Sequence, residues 1–314
     1  MGKKIPLIIV AGATASGKTA LGIELAKKYN GEVVSCDSMQ IYKNLDIGTA
    51  KPSKEELAEV THHLIDIIPA TESFSVERYC TLAKEVIEDI HSRGKLPIMV
   101  GGTGLYFDNT VHATVFSAPR RNEELTQSLV QFAAENGNEA LFEILRKEDP
   151  EEAEKLHPND VKRVVRAIET VRTTGKTRSE TDRMSRPEES PYNYLYMAID
   201  MERKQLYERI EKRVDIMIKD GLTEEVRKHI LPCLNEISTA QTAIGYREAV
   251  WYFKGLCTHS EMVSLLKRNT RRYAKRQLTW LRQNNEVHWL DSKIALSQAQ
   301  QLIEERILTD ENTD

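Results

Sequence analysis

The apolar run Ile8-Ile9-Val10 gives way within two residues to a glycine-framed loop, Gly12-Ala13-Thr14-Ala15-Ser16-Gly17-Lys18-Thr19. Ala20-Leu21-Gly22-Ile23-Glu24-Leu25-Ala26 follows and reads as a helix. The loop fits G-x-x-x-x-G-K-[ST], the phosphate-cradling P-loop. Glycines let the backbone amides turn inward on an anion, and the helix N-terminus adds partial positive charge. Lys18 brings a full charge to the outer phosphates, and the Thr19 hydroxyl can ligate Mg²⁺. A strand feeding such a loop and helix commits the chain to open as an α/β fold. Taken alone the loop is a nucleotide site with ATP as its default ligand, because nothing in it names the phosphate compound.

Two more strand-loop-helix units follow. Gly31-Glu32-Val33-Val34-Ser35-Cys36 reads as a strand ending at Asp37-Ser38, and Leu96-Pro97-Ile98-Met99-Val100 as a buried strand ending in Gly101-Gly102-Thr103-Gly104. Between them, residues 75–92 carry helical periodicity, with Gly94 as a stop. Working residues of α/β sheets stand at the carboxyl ends of strands. Asp37 at such an end can bind Mg²⁺, take a proton or cap a turn, and Gly101–Gly104 is either a tight turn or a ligand contact. From residue 120 to 176 no strand-like run appears. Helices are expected over 123–135, 138–147, 151–155 and 159–174, then a loop over 178–192 that carries Pro187 and Pro191. Tyr194-Leu195-Tyr196-Met197-Ala198-Ile199 resumes the sheet, and Val287–Leu290 adds a strand. The expected fold is therefore a P-loop NTPase-like parallel sheet flanked by helices. Residues 1–114 and 194–291 form its core, 115–193 an all-α insertion, and 292–314 a tail whose end, Thr309–Asp314, is acidic and expected to fray.

The formal net charge of -4 gives no global sign of nucleic acid, so any such partner needs a local basic patch. One exists. Lys267, Arg268, Arg271, Arg272, Lys275, Arg276 and Arg282 occupy a helix over 262–282 with no acid between them. A thin apolar stripe through Leu266, Tyr273 and Trp280 completes it, and a single-sign run in an acidic chain favours a polyanion. Lys162, Arg163 and Arg166 form a smaller basic group in the insertion, either solvated or on phosphates. Arg209 and Arg213, four apart on a helix with Glu208, Glu211 and Asp215, are surface ion pairs or anion contacts. His62-His63 is read as one packed and one exposed histidine, because adjacent side chains diverge and no further ligand stands at metal spacing. Cys36, Cys80, Cys233 and Cys257 are scattered, which favours a reducing, cytoplasmic setting over zinc or disulfides. No run reaches membrane-span length, no signal peptide is expected, and a monomer is expected.

The residues leave three readings: a metabolite kinase, an enzyme that modifies nucleic acid with a phosphate-bearing donor, and an RNA-binding NTPase switch. The basic helix favours the second. The chain also resembles the bacterial isopentenyl-diphosphate:tRNA transferase family, the tRNA dimethylallyltransferases. The resemblance rests on Gly12–Thr19, Asp37-Ser38-Met39-Gln40-Ile41-Tyr42, Asp46-Ile47-Gly48-Thr49-Ala50-Lys51-Pro52, His63-Leu64-Ile65-Asp66 and Gly101-Gly102-Thr103-Gly104-Leu105-Tyr106. It continues through His157-Pro158-Asn159-Asp160, Leu206-Tyr207-Glu208-Arg209-Ile210-Glu211-Lys212-Arg213, Ile244-Gly245-Tyr246-Arg247-Glu248 and Lys275-Arg276-Gln277-Leu278-Thr279-Trp280-Leu281-Arg282. These stretches cover nearly the whole chain; Ala13 departs from the proline of that family.

The resemblance implies transfer of a dimethylallyl group from dimethylallyl diphosphate to N6 of the adenosine 3′-adjacent to the tRNA anticodon, with Mg²⁺ as cofactor. Asp37 would be the general base and, with Thr19, a metal contact. Lys18, Arg209 and Arg213 would hold the diphosphate, Arg213 foremost. Ser38, Met39, Gln40 and Thr103 would line the base pocket beside Asp37. Lys162, Arg163, Arg166, Thr242, Gly245, Arg247 and the basic helix would hold the anticodon arm, with the insertion as a clamp.

Overall fold

The computed structural model of the chain describes residues 4–116, 122–185, 187, 189–236 and 239–308. Two compact units are present, Met1–Val111 with Pro191–Asp314, and His112–Ser190. The first opens with β1 (Ile5–Gly12), α1 (Lys18–Lys28), β2 (Gly31–Cys36), α2 (Lys54–Glu59), β3 (His62–His63), α3 (Val76–Ser92), β4 (Leu96–Gly101) and α4 (Gly104–Val111). The second holds α5 (Glu123–Asn136), α6 (Asn138–Glu148), α7 (Pro150–Lys155), α8 (Val161–Thr174) and α9 (Arg178–Ser185). The first unit then resumes with β5 (Tyr192–Asp200), α10 (Arg203–Lys219), α11 (Leu222–His229), α12 (Tyr246–Phe253), α13 (His259–Arg282), β6 (His288–Asp291) and α14 (Ala295–Ile303).

All six strands are parallel, in the order β3-β2-β4-β1-β5-β6. The two-residue side-chain period of β1 explains the layering. Leu7, Ile9 and Ala11 pack with α3 and α4 on one face; Ile8 and Val10 pack with α1 and α14 on the other. Register aligns Ala11 with Gly101 and Gly101 with Cys36, while Gly12 pairs with Ile199. The loops after β1, β2, β4 and β5 therefore emerge side by side at one sheet edge. A third core, centred on Ile41, Tyr42, Leu45, Val226 and Tyr246, joins the loop after β2 to α11, α12 and α13. The second unit has its own core of Leu129, Leu141, Phe142, Leu145, Val164 and Ile168.

Three sequence expectations are corrected. The 178–192 stretch is not all loop, because Thr177 and Glu180 cap each other's backbone amides and start α9. The residues after 291, expected as a tail outside the core, in part belong to it: Ala299, Ile303 and Ile307 recur at helical spacing and bury against the sheet. The acidic end over 309–314 lies outside the described residues. Neither histidine of the pair is exposed. On edge strand β3, His63 Nε2 meets Glu32 Oε2 at 2.7 Å and His62 Nδ1 meets the Val60 carbonyl at 2.8 Å.

The strand ends depend on a close backbone approach at Gly101, where an added Cβ would stand 2.0 Å from the Cys36 carbonyl oxygen. Backbone cannot yield as a side-chain tip can. Gly101→Ala is therefore expected to lower unfolding stability by about 3 kcal/mol in urea titration. An unchanged midpoint would show that β2 and β4 have slack at this point.

Candidate active site

The eight loop residues form the turn between β1 and α1. Gly17 takes φ +104°, a left-handed conformation open to glycine, and starts α1 without a side-chain cap, so the first-turn amides are left for a ligand. Lys18 folds back and its Nζ donates to the Ala13 carbonyl at 2.7 Å. Proline offers the same carbonyl, which is why alanine serves at this position. Burial and the nearby Arg213 cation pull the Lys18 ammonium down to about 8, against the opposing pull of Asp37. Ser16 Oγ is buried beneath the loop with no hydrogen-bond partner among the described residues, an orphan that an anion's oxygens would satisfy.

Two contacts from distant helices hold this loop, and neither was foreseen as such. Gln277, buried on α13, accepts the Thr14 amide at 2.8 Å through Oε1 and donates to the Gly102 carbonyl at 2.9 Å through Nε2. It ties the first glycine loop to the second, and Gly102 must lack a side chain because a Cβ would sit 2.1 Å from Nε2. From α10, Arg213 donates to Thr14 Oγ1 at 3.2 Å. Desolvation pulls the Arg213 guanidinium below its usual range, with Asp37 opposing. No sequence signal singles out Gln277, since its partners are a backbone amide and a backbone carbonyl.

Three cavities meet around the loop. One of about 480 Å³ is walled by Gly17, Lys18, Thr19, Arg209, Lys212 and Arg213, and is cationic apart from Glu56. A second, about 330 Å³, is lined by Asp37, Ser38, Met39, Thr242, Arg247, Tyr273 and Arg276, with Arg213 and Ala50 shared between the two. A small third one, about 40 Å³, brings Asp37 beside Lys18, Thr19 and Gln40. Asp37 therefore stands between the phosphate loop and the second cavity, its Oδ1 accepting the Met39 amide at 2.8 Å. Thr19 and Asp37 are the oxygen ligands available to a hard cation here. Among the described residues no cluster of three His, Cys, Asp or Glu could hold a metal ion.

The loop after β2 closes the second cavity because buried Glu225 of α11 accepts the amides of Asp46, Ile47 and Gly48 at 2.7, 2.8 and 3.0 Å and the Tyr246 hydroxyl at 2.8 Å. Gln40 and Thr103 are placed differently from the expected pocket lining. Gln40 Nε2 donates to the Ala50 carbonyl at 3.2 Å and Thr103 Oγ1 accepts the Ser38 amide at 3.2 Å, so both brace the walls. Gly245, at φ +97°, starts α12 and donates to Glu248 Oε2 at 2.8 Å, leaving Thr242 and Arg247 on the cavity wall.

The basic helix is α13, and its buried stripe differs from the expected one: Met262, Leu266, Ala274, Gln277 and Leu281 face inward. Trp280 stays partly exposed, lies over Gly104 and donates its indole N–H to Asp108 at 3.0 Å. Lys267 and Arg271 are neutralised by Asp215 and Glu211 of α10. Arg268, Arg272, Lys275 and Arg276 have no acidic partner among the described residues and, with Arg276 on the cavity wall, make the cationic ridge. Arg282 reaches Asp200 only at 3.9 Å. In the second unit Lys162 and Arg163 are exposed on α8, while Arg166 binds buried Glu169 at 2.7 Å.

Comparison with known proteins gives one consistent answer. Residues 40–284 match the IPP transferase family. The chain is 46% identical over 285 residues to a tRNA dimethylallyltransferase of Acetivibrio thermocellus, covering 91% of each chain. It is similar to the crystal structure of the full-length tRNA isopentenylpyrophosphate transferase of Bacillus halodurans, at 41% identity and a TM-score of 0.73, covering 98% of this chain and 100% of that one. A eukaryotic dimethylallyltransferase captured acting on tRNA matches at 30% identity and a TM-score of 0.80, over 97% of this chain and 80% of that one.

Because Lys18 loses its proton near pH 8, inorganic diphosphate is expected to bind the free protein progressively more weakly as pH rises from about 7 to about 9. Lys18→Arg, whose charge persists, is expected to remove that slope relative to wild type in calorimetric titrations run in parallel. Equal slopes for the two proteins would take Lys18 out of anion binding. Gln277→Leu leaves a buried loop amide unpaired, so diphosphate is expected to bind about tenfold more weakly. Unchanged diphosphate affinity in Gln277→Leu would count against the loop-holding role.

Proposed function

This chain belongs to the IPP transferase family, and we propose that it transfers the dimethylallyl group of dimethylallyl diphosphate to N6 of the adenosine 3′-adjacent to the tRNA anticodon, releasing diphosphate. The observation that carries this reading is the position of Asp37, on the shared wall between a cationic phosphate loop and a base-sized cavity that Tyr273 and Arg276 border. A metabolite kinase has no use for the α13 ridge.

The exocyclic amine attacks the allylic carbon next to the diphosphate oxygen. A carbon–nitrogen bond forms, the carbon–oxygen bond breaks, and its electron pair leaves on diphosphate. The chief demand is stabilisation of that leaving charge. Lys18, the first-turn amides of α1, Arg213 and Arg209 meet it. An adenine amine is a poor nucleophile until it sheds a proton, and the Asp37 carboxylate accepts that proton. The Met39 amide on Oδ1 fixes the carboxylate's orientation and leaves the other oxygen free for the substrate. Thr19 and Asp37 would hold Mg²⁺, the remaining ligands being diphosphate oxygens and water, and the ion would neutralise diphosphate charge.

A stacked loop base cannot reach Asp37, so the target adenosine is flipped into the cavity beside Ser38 and Met39, with Gln40 and Thr103 bracing its walls. Thr242, Gly245 and Arg247, together with Arg271, Arg272, Lys275, Arg276 and Arg282, hold the anticodon arm. Lys162, Arg163 and Arg166 contact it from the insertion. The partners are tRNA and dimethylallyl diphosphate, and a cytoplasmic monomer is the working state. Among the described residues no helix is long and apolar enough to cross a membrane.

Incubation with unmodified tRNA, Mg²⁺ and radiolabelled dimethylallyl diphosphate is expected to put label into RNA. Asp37→Ala should slow that transfer by roughly a thousandfold while tRNA affinity stays within a few fold. Unimpaired turnover would remove Asp37 as the base, and ATP hydrolysis without labelled RNA would return the NTPase readings.

A further inference from the structure

The seam between α10 and α13 changes character along its length. Positions 203, 207, 211 and 215 of α10, four apart, share a face. At one end Asp215 pairs with Lys267 at 2.6 Å, and the next position, Glu211, pairs with Arg271. One turn further the acids give way to Tyr207 and then Arg203, while α13 continues to present cations in Lys275 and Arg282. Charge balance therefore fails at this end. A cavity of about 200 Å³ opens there, with Leu206, Leu278 and the Tyr207 ring as apolar lining and Arg203, Lys275 and Arg282 as its cations. Arg203 Nε donates to Tyr207 Oη at 3.2 Å, which fixes the ring. Neither Arg203 nor Lys275 has an acidic partner among the described residues.

An apolar floor with an aromatic ring suits a planar group, and unbalanced cations suit an anion; a nucleotide unites the two. Lys275 lines this cavity and Arg276 lines the 330 Å³ one beside Asp37. Consecutive residues on a helix diverge by about 100°, so the two cavities flank α13 roughly one helix width, ~10–12 Å, apart. A single strand crossing the exposed ridge of Arg272, Lys275 and Arg276 connects them. We propose that the Arg203–Tyr207–Lys275 cavity is a second nucleotide pocket, which takes a splayed base and its phosphate from the same RNA loop whose target adenosine enters the cavity beside Asp37. This rests on the tRNA reading and adds to it a site that secures one more loop nucleotide.

The test is anisotropy with an anticodon stem-loop RNA, scanned with an abasic nucleotide at each loop position, for wild type, Arg203→Ala and Tyr207→Leu. One abasic position other than the target is expected to weaken wild-type binding about tenfold. Each variant should bind the intact RNA weakly by a similar factor and lose nothing further at that position, with the KM for dimethylallyl diphosphate unchanged. Additive losses at every position, or intact RNA bound as tightly by both variants as by wild type, would overturn the pocket. Free AMP binding as tightly as the stem-loop, with loss of AMP binding in both variants, would overturn its assignment to RNA. Failure of the wild type to bind the stem-loop at all would overturn the tRNA reading itself.

Discussion

The site depends on keeping several cations close together with no anion yet bound. Lys18, Arg209 and Arg213 converge on the start of α1, whose own amides add to the positive field. Burial disfavours such charge and the Arg213 cation adds to it, which is why the Lys18 ammonium falls to about 8. It persists because Lys18 is held on the Ala13 carbonyl and Arg213 on Thr14, and because Asp37 is close enough to compensate part of the charge. On the proposed reading, an incoming diphosphate would supply the charge that the cluster lacks, and the free energy of binding would come from a site organised beforehand.

Holding the cluster in place requires backbone to be clamped from outside the P-loop. Gln277 ties the Thr14 amide to Gly102, and Glu225 ties three amides of the 46–48 loop to α11. Both clamps use buried side chains on backbone groups, so they set where the loops run without depending on the loops' side chains. Glycine appears where the clamps come closest: Gly102 under Gln277, and Gly48 against the Tyr246 ring, where a Cβ would stand 2.5 Å from the ring. One consequence is mechanical. Gln277 sits on the helix that carries the cationic ridge, so that ridge is joined to the phosphate loop by one hydrogen bond, from Thr14, and to the second glycine loop by another, to Gly102.

Much of this was legible in the chain itself. The P-loop, the strand ends at Asp37 and Gly101, and the return of the sheet at residue 194 are local signals, written in β-branched runs, glycines and a period of two. The family resemblance added which residues converge. What escaped was partnership across distance. Arg271 read as a free cation until α10 placed Glu211 against it, and Trp280 read as one of an apolar stripe until it was found partly exposed over Gly104. Residues 295–308 read as tail because their acidic end hid the spacing of Ala299, Ile303 and Ile307.

The sequence by itself determined the chemistry available to this protein: an anion cradle, a carboxylate at the same sheet edge and a run of cations on one helix. It could do so because each depends on residue type and short spacing along the chain. Only the tertiary structure decided which of those cations stay uncompensated, where the base-sized cavity lies, and how the phosphate loop is held. Those are set by side chains meeting across more than a hundred residues of sequence, as Thr14 meets Gln277, and such meetings follow from packing. The cradle at Gly12–Thr19 could be read from the first line of the sequence; the second loop it is tied to had to be found in space.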